Sequence, residues 1–345
     1  MGIIAANYFF ISGEWLSCKK GLDEMDGMAQ LSLDFHKNLE KEKIGKEDFE
    51  IGAFDFDAVV QKDCNIERVC NQNSLVMLSD CLTALKHIKK KSIHLIFADA
   101  PYNIGKDFGN NKDKWEDEDR YIKWCKQWID ECLRVLRDDE TMYFMTATQY
   151  MPYLDVYVSE TYNVLCRIVW TYDSSGVQSK KMYGSLYEPI LMINKGKKDR
   201  ITFNYEEIMV EAKTGAKRKL IDYRKNPPQP YYTKKVPGNV WDFSRVRFKM
   251  KEYENHPTQK PEALLERIIK ASSNKGDVVL DPFSVSFTTS AVATRLGRNA
   301  IGIDMNREYF EIGIRRTGIA HTYKGKSLVK EKKRKTNAKS KYVRE

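Results

Sequence analysis

Residues 278–304 read VVLDPFSVSFTTSAVATRLGRNAIGID, and this segment has the alternating pattern of an α/β protein. It predicts a short buried strand that ends at Asp281, a helix over 288–296 and a second strand that ends at Asp304. A strand, a helix and another strand in this order favour an open α/β sheet. Such sheets bind their ligands at the carboxyl ends of the strands.

The turn that follows Asp281 has features of a nucleoside-cofactor pocket. It leads into a helix N-terminus, whose backbone N–H groups can bind an anionic ligand group. Asp304 stands at the tip of the next strand, roughly 20 residues on, where an acidic side chain can accept hydrogen bonds from ribose hydroxyls. The spacing fits equally well with a strand–helix–strand unit that has a polar turn and no ligand.

Other strands and helices can be placed on either side of this segment. The apolar run at 93–98 predicts a buried strand that stops before Pro101. Apolar residues recur at helical spacing over 117–137, and Pro261 is suited to the first turn of another helix. Shorter apolar runs predict further strands at 142–145, 167–172 and 190–193.

A second candidate site is the sequence DAPYNIG at residues 99–105, directly after a predicted strand. Asp99 and the carbonyl of Ala100 offer two acceptors for an exocyclic amine, and Tyr102 offers a ring that can stack. This set of groups suits a flat ring that carries an amino group. By spacing alone, an ordinary strand-end turn that contains proline is the favoured explanation of the segment.

Three motifs in fixed order resemble those of β-class amino-group DNA methyltransferases. Residues 99–102 are similar to the Asp-Pro-Pro-Tyr motif of that family, and residues 281–289 to its S-adenosylmethionine loop. Residues 256–261, HPTQKP, are similar to the segment that precedes this loop. The resemblance covers residues 72–320, with the catalytic motif before the cofactor loop, and is greatest to the solitary adenine-specific members.

The resemblance implies a Rossmann-like S-adenosylmethionine-dependent methyltransferase fold, with a mostly parallel sheet, helices on both faces and an inserted target recognition region. It implies transfer of a methyl group to the N6 atom of a flipped-out adenine in duplex DNA, at a short palindrome of the ATGCAT type, without a metal. The catalytic residues would be Asp99, Ala100, Pro101 and Tyr102. The cofactor-binding residues would be Asp80 at its adenine, Asp304 at its ribose, and Thr258, Gln259, Lys260, Asp281, Pro282, Phe283, Ser284, Val285, Ser286 and Thr288.

Two basic segments point to a polyanionic partner, most simply double-stranded DNA. Residues 195–260 contain 17 lysine and arginine residues against 8 acidic ones, and residues 324–345 contain 10 against 2. Aromatic residues interleave with the charges in the first segment, as in proteins that stack on bases. Candidate DNA-binding residues there are Arg224, Lys225, Asn226, Gln229, Arg245 and Arg247.

The pattern along the chain, together with the resemblance to the methyltransferase family, predicts five regions. Residues 1–66 are acidic, lack clear periodicity except for a partly helical stretch near 30–43, and have no recognised counterpart. The predicted regions are an N-terminal extension (1–66), the catalytic half of the methyltransferase domain (67–195), a target recognition region (196–255), the cofactor-binding half (256–323) and a disordered basic tail (324–345).

The composition excludes several classes of protein. The apolar runs are shorter than the roughly 18 residues of a membrane span, and the N-terminus lacks the basic start of a signal peptide. The 7 cysteines are odd in number and form no CxxC pair, which argues against a disulfide scaffold and a zinc site. The composition therefore predicts a cytoplasmic protein with no membrane or metal partner. The resemblance implies a bacterial, nucleoid-associated protein, and a homodimer is left open.

Two departures from the family pattern keep alternatives open. Ala100 replaces a proline, which loosens the acceptor carbonyl and predicts slower transfer. Val285 replaces a glycine, and a β-branched residue at positive φ costs about 1–3 kcal/mol of backbone strain. Phe287 also stands where glycine is commoner. The alternatives are a catalytically impaired DNA-binding protein, a cytosine N4-methyltransferase, which Asp99 in place of serine argues against, and an RNA-modifying enzyme.

Overall fold

The computed structural model describes residues 9–11, 14–16, 53–107, 112–173, 180–212, 220–254, 256 and 258–319. The chain comprises two compact units, Met1–Gly52 and Ala53–Glu345. The described part of the first unit is an antiparallel pair of short strands. The helical stretch expected near residues 30–43 and the basic tail at 324–345 lie outside the described residues.

The regular elements of the described residues are numbered here in chain order. The strands are β1 (Phe9–Ile11), β2 (Glu14–Leu16), β3 (Glu67–Cys70), β4 (Ser74–Leu78), β5 (Ile93–Asp99), β6 (Lys106–Asp107), β7 (Lys112–Asp113), β8 (Leu136–Met145), β9 (Asn163–Thr171), β10 (Tyr187–Asn194), β11 (Val210–Glu211), β12 (Ile221–Asp222), β13 (Gln229–Pro230), β14 (Lys234–Lys235), β15 (Val240–Asp242), β16 (Val278–Asp281) and β17 (Asn299–Asp304). The α-helices are α1 (Cys81–His87), α2 (Glu118–Val135), α3 (Met151–Thr161), α4 (Glu262–Ser272), α5 (Thr288–Arg295) and α6 (Arg307–Arg316).

Nine of the described strands form one mixed sheet in the order β15-β9-β10-β8-β5-β16-β17-β4-β3. The five central strands, from β8 to β4, are parallel, whereas β10 is antiparallel to both of its neighbours and β3 is antiparallel to β4. β16 comes late in the chain but lies between β5 and β17. Strand order reverses at this point, and a crevice opens there at the carboxyl ends of the strands.

Helices cover both faces of the sheet, as the sequence predicts. One core packs α1, α2 and α3 on one face through residues such as Leu85, Trp128 and Leu154. The other core packs α4 and α5 on the opposite face. Within β5, Ile96 belongs to the first core and Phe97 to the second, so the alternation along the strand buries both of its faces.

Helix α2 confirms the strongest helical pattern of the sequence, which covers residues 117–137. The Asp117 carboxylate accepts a hydrogen bond from the Asp119 N–H at 2.9 Å and so caps the N-terminus. The apolar face of the helix, with Trp128 at its centre, is fully buried. The helix ends before the predicted limit because Leu136 is already extended and begins β8.

The boundary predicted between residues 66 and 67 is wrong. Phe56 and Val60 are buried in the first core, and Val60 forms a β-bridge with Ile88. The second unit therefore begins at Ala53. Residues 53–66 lack a regular period because they form a single 3₁₀ turn and an irregular segment, which periodicity does not detect.

Part of the predicted target recognition region belongs to the main sheet. β15 pairs in parallel with β9 at the sheet edge, and Trp241 is buried in the second core. The indole N–H of Trp170 donates to the Phe243 carbonyl at 2.9 Å. Before β15, the described residues form two small antiparallel pairs, β11 with β14 and β12 with β13.

In the parts of the chain that the structure describes, no helix combines the length and apolar character needed to cross a membrane.

The cysteines of the described residues are all free thiols, four of them buried. Burial raises the pKa of Cys125 to about 12.

Candidate active site

A cavity of about 600 Å³ opens where β4, β5, β16 and β17 end. Asp99 stands at the end of β5, Pro282 directly follows β16, and Asp304 stands at the end of β17. Trp115 and Trp124 add aromatic surface to the wall. The volume lies within the range of small-molecule sites.

The loop after β5 is held by a carboxylate that the sequence did not single out. Asp113 accepts hydrogen bonds from the backbone N–H groups of Tyr102 at 3.0 Å and Asn103 at 2.7 Å. Asn103 has a positive φ of 54°, and its side-chain oxygen accepts the Trp115 N–H at 2.8 Å. These bonds fix the turn that places Tyr102 in the cavity wall.

Asp99 belongs to a buried cluster of charged groups. Its Oδ2 atom lies 2.7 Å from the Lys260 ammonium, which also lies 3.4 Å from Glu188 Oε2. The Tyr102 hydroxyl lies 3.0 Å from Asp99 Oδ1 and 2.8 Å from Glu188 Oε2. The Lys260 nitrogen is also 5.2 Å from the centre of the Tyr102 ring.

Burial and the shared lysine set the proton affinities in this cluster. Burial raises the pKa of Asp99 above its usual value, although Lys260 opposes the rise. Burial also acts to raise the pKa of Glu188, but Lys260 and Tyr102 outweigh it and hold that pKa below its usual value. Burial alone would lower the pKa of Lys260, yet the two carboxylates keep it above its usual value. Lys260 is therefore charged.

The loop after β16 is organised around Asp281. Its carboxylate accepts the Phe283 N–H at 3.0 Å and the Thr289 hydroxyl at 2.6 Å. Burial raises the pKa of Asp281 to about 7, against these hydrogen bonds. The Ser284 hydroxyl donates to the Asp281 carbonyl at 2.9 Å, and so joins the loop to the strand.

Val285 and Phe287 both adopt positive φ angles, 47° and 53°. The Val285 N–H donates to Asp304 Oδ2 at 2.9 Å. Phe287 is fully buried, and a Cβ atom at Gly302 or Gly313 would lie only 2.6 Å or 2.8 Å from its ring carbons. The two glycines thus leave the space that the Phe287 ring fills.

Arg316 of α6 holds the same loop from the other side. Its guanidinium donates to the Ser286 carbonyl at 2.8 Å and to the Thr288 hydroxyl at 2.8 Å, and it forms an ion pair with Glu262 at 2.9 Å. Burial lowers the pKa of Arg316, although nearby glutamates oppose the change. The loop therefore has a side-chain support that the sequence motif does not include.

Comparison with known proteins decides the family. A family model described as DNA methylase matches residues 93–315, which include the Asp99 and Asp281 loops. The chain belongs to the DNA methylase family. It is 56% identical over 281 residues to DNA adenine methyltransferase YhdJ of Escherichia coli K12, across 81% of this chain and 95% of that protein.

Other relatives are more distant. The methylase is 37% identical over 245 residues to the Type II methyltransferase M.HpaI of Haemophilus parainfluenzae, across 69% of this chain and 72% of that protein. The solved structure of PvuII DNA methyltransferase (cytosine-N4-specific) has a TM-score of 0.53 and 17% identity, over 71% of this chain and 86% of that one. This structural similarity supports the predicted Rossmann-like methyltransferase fold.

The methylase fold brings together the residues that the sequence predicted for catalysis and cofactor binding. The main cavity is lined by Asp80, Asp99, Ala100, Pro101, Tyr102, Thr258, Lys260, Pro282, Phe283, Val285 and Asp304. An adjoining recess is lined by the remaining ones, Gln259, Asp281, Ser284, Ser286 and Thr288. Among the described residues of the methylase, no group of three or more potential ligands is placed to hold a metal ion.

Two acidic residues of the cavity are already hydrogen-bonded within the protein. Asp80 caps α1 by accepting the Thr83 N–H at 3.0 Å. Asp304 accepts the backbone N–H groups of Val285 and Asn306, and burial raises its pKa to about 6. Each carboxylate has further lone pairs for a ligand.

Gln259 has a structural role that the motif did not indicate. Its side chain accepts the Glu254 N–H at 2.7 Å and donates to the Glu252 carbonyl at 2.5 Å. It therefore anchors the end of the recognition region beside the recess. Thr258 precedes it, with its N–H 3.3 Å from His256 Nδ1.

The predicted DNA-binding residues lie outside the cavity walls, and they differ in their surroundings. Arg224 is exposed but forms two hydrogen bonds with Asp222, at 2.8 Å and 3.0 Å. This ion pair offsets its charge. Asn226 and Gln229 are exposed on the same hairpin segment.

Three other basic candidates contact neighbouring groups of the methylase. The Lys225 ammonium lies 4.2 Å from the centre of the Tyr232 ring, and the Arg245 guanidinium 4.8 Å from that of Tyr172. Arg247 donates to a backbone carbonyl at 3.2 Å. Arg245 also lies close enough to the active-site cluster for its charge to help lower the pKa of Glu188.

Sequence reasoning missed Glu188, Asp113 and Arg316. Glu188 had the clearest signal, since it is an acidic residue in the otherwise apolar strand YEPILMIN. A buried acidic residue needs a partner. The other two belong to segments whose composition is ordinary for a protein surface.

Proposed function

We propose that the protein is an adenine-specific DNA N6-methyltransferase that uses S-adenosylmethionine. The supporting observation is that Asp99 and Tyr102 line the same cavity as Phe283 and Asp304, so an amine acceptor and a nucleoside-type pocket adjoin. The relative YhdJ, named a DNA adenine methyltransferase, favours adenine as the base.

The cavity residues fit S-adenosylmethionine, which has a cationic sulfonium centre, a ribose with two hydroxyls and a flat base. Asp304 is an acceptor suited to the ribose, Asp80 to the adenine, and residues 281–289 to the methionine part. Burial raises the pKa values of Asp281 and Asp304, and a cationic ligand nearby would favour their ionised forms. When bound, the cofactor supplies an electrophilic methyl group.

The residues of this chain would prepare the substrate nitrogen. That nitrogen is a weak nucleophile because its lone pair is delocalised into the adenine ring. Hydrogen bonds from its two hydrogens to the Asp99 carboxylate and the Ala100 carbonyl would favour a pyramidal nitrogen with a free lone pair. Tyr102 would stack on the base, which is worth about 1–3 kcal/mol and offsets part of the cost of flipping. Positioning supplies much of the remaining rate.

The basic region before the cofactor half would bind the duplex. Tyr223, Tyr232 and Phe248 are exposed large aromatic side chains there, at 80%, 74% and 56% exposure. Lysine and arginine residues would contact phosphates, and amide side chains such as Asn226 and Gln229 would read base edges.

The test is methyl transfer to unmethylated duplex DNA from labelled S-adenosylmethionine, with digestion to nucleosides. We expect the label in N6-methyladenine, and its loss in Asp99→Ala. Label in N4-methylcytosine would show instead that cytosine is the base that is methylated. If only Val285→Gly transferred label, the native protein would be an impaired methyltransferase that retains DNA binding.

The finer parts of the proposal are the target, the assembly and the cellular place. We propose an ATGCAT-type palindrome, to be checked by sequencing methylated DNA against a scrambled duplex. A palindrome presents two equivalent half-sites, which suits a homodimer, and sedimentation with and without DNA would measure it. We propose that the enzyme works at the nucleoid in the cytoplasm, because its proposed substrate is duplex DNA.

A further inference from the structure

The cluster around Asp99 holds two carboxylates but one ammonium. Lys260 Nζ bridges Asp99 Oδ2 at 2.7 Å and Glu188 Oε2 at 3.4 Å. The Tyr102 hydroxyl has a single hydrogen, yet its oxygen lies within 3.0 Å of both carboxylates. The two acids therefore compete for the same ammonium and the same hydroxyl hydrogen.

This competition bears on Asp99, which stands at the cavity, whereas Glu188 reaches the cluster from β10. We propose that Lys260 and Glu188 are positioning residues with opposite effects on Asp99. Lys260 keeps the Asp99 carboxylate ionised and oriented. Glu188 weakens this effect, because it binds the same Lys260 ammonium and the same Tyr102 hydroxyl. The inference rests on the proposed function, because an ionised Asp99 is the acceptor for the substrate amine.

Other ionisable groups near the cluster also influence its proton affinities. The charge of Asp99 contributes to the raised pKa of Asp281, at the end of β16. Arg245 lies on the outer side, where it favours ionisation of Glu188 together with Lys260. Burial and the Glu188 charge both raise the pKa of Tyr172, which follows the neighbouring strand β9. Because the groups are coupled, the measured pKa values belong to the cluster.

Two substitutions should move the pH profile of methyl transfer in opposite directions. Lys260→Met removes the cation, so Asp99 should ionise only at higher pH. The acid limb of the kcat profile should therefore move to higher pH by about 1–3 units. Glu188→Gln removes the competing charge while its amide oxygen can still accept from Tyr102. Its acid limb should move to lower pH.

A second measurement uses the protein without cofactor or DNA. In Lys260→Met, two buried carboxylates face each other without a cation, so its unfolding temperature should fall relative to wild type between about pH 5 and about pH 8. Glu188→Gln leaves one carboxylate with one ammonium. Its unfolding temperature should fall far less over the same range.

The matched control is the half-buried pair Lys270–Glu266, at 2.6 Å on α4 and away from the cavity. Lys270→Met and Glu266→Gln should leave both profiles unchanged. The proposal is overturned if Lys260→Met only weakens cofactor binding, or if both active-site variants shift the acid limb in the same direction. Absence of methyl transfer by the wild type would instead refute the proposed function, and the unfolding data would still decide this inference.

Discussion

Replacing Asp281 by asparagine should stabilise the protein at neutral and alkaline pH, with an effect that fades in acid. Asp281 is buried at the end of β16, and its pKa is raised from 3.8 to about 7 by burial. Its two oxygens accept the Phe283 N–H and the Thr289 hydroxyl. Asparagine can keep both contacts, because its oxygen can accept the N–H and its amide can donate to the hydroxyl.

The magnitude and the sign follow from proton linkage. The folded state holds the Asp281 proton more tightly than the unfolded chain does. The stability gained in this way is complete below about pH 4 and is lost as the pH rises through about 7. A rise of about 3 pKa units corresponds to about 4 kcal/mol. We expect the free energy of unfolding of Asp281→Asn to exceed that of the wild type by about 2–4 kcal/mol at about pH 8. At about pH 4.5 the difference should be about 1 kcal/mol or less.

Urea denaturation of both proteins across this pH range measures the difference. Asp304→Asn is the informative companion, because that carboxylate accepts two backbone N–H groups and an amide oxygen replaces only one acceptor. The N–H group left without an acceptor costs about 1–3 kcal/mol at every pH. The stability gained by Asp304→Asn should therefore be smaller than that gained by Asp281→Asn. A constant difference between Asp281→Asn and wild type at all pH values would refute the argument from burial.

Three further outcomes test other parts of the structure. Val285→Gly should relieve about 1–2 kcal/mol of left-handed strain, while the added chain entropy of glycine costs about 0.5–1 kcal/mol, so denaturation should register a gain of about 0–1.5 kcal/mol. Phe287→Ala should cost about 3–5 kcal/mol in the same assay, whereas the exposed Tyr223→Ala should stay within about 0.5 kcal/mol. Deleting residues 324–345 should weaken DNA binding and flatten its salt dependence, and an unchanged salt slope would show that this tail makes no phosphate contacts.

The fold was predictable because its signals are local. β5 and β16 are short apolar runs that each end in an acidic residue, and α2 has a capped amphipathic pattern. Parallel strands bring their carboxyl ends to one edge, where the sequence predicts a ligand site. The loops after Asp99 and Asp281 both line the cavity at this edge.

The contacts that complete the site were not predictable, because they join segments distant in the chain. Glu188 meets Lys260 only because β10 inserts between β8 and β9, a pairing that one strand's own pattern does not specify. Asp113 holds the Tyr102 turn from a two-residue strand. The wrong boundary after residue 66 has the same origin, since the segment is recognisable only by what it packs against.

The structure also bears on whether the altered cofactor loop indicates an enzyme that has lost activity. A left-handed conformation costs an ordinary side chain about 1–2 kcal/mol, whereas full burial of a phenylalanine is worth about 1.5–3 kcal/mol. Phe287 is buried where Gly302 and Gly313 leave room for its ring, so packing can outweigh its backbone strain. Val285 lacks such burial, but its N–H is bound to Asp304, and Arg316 binds the next carbonyl. A loop held by these contacts has the features of a maintained site, which favours an active enzyme over an impaired one.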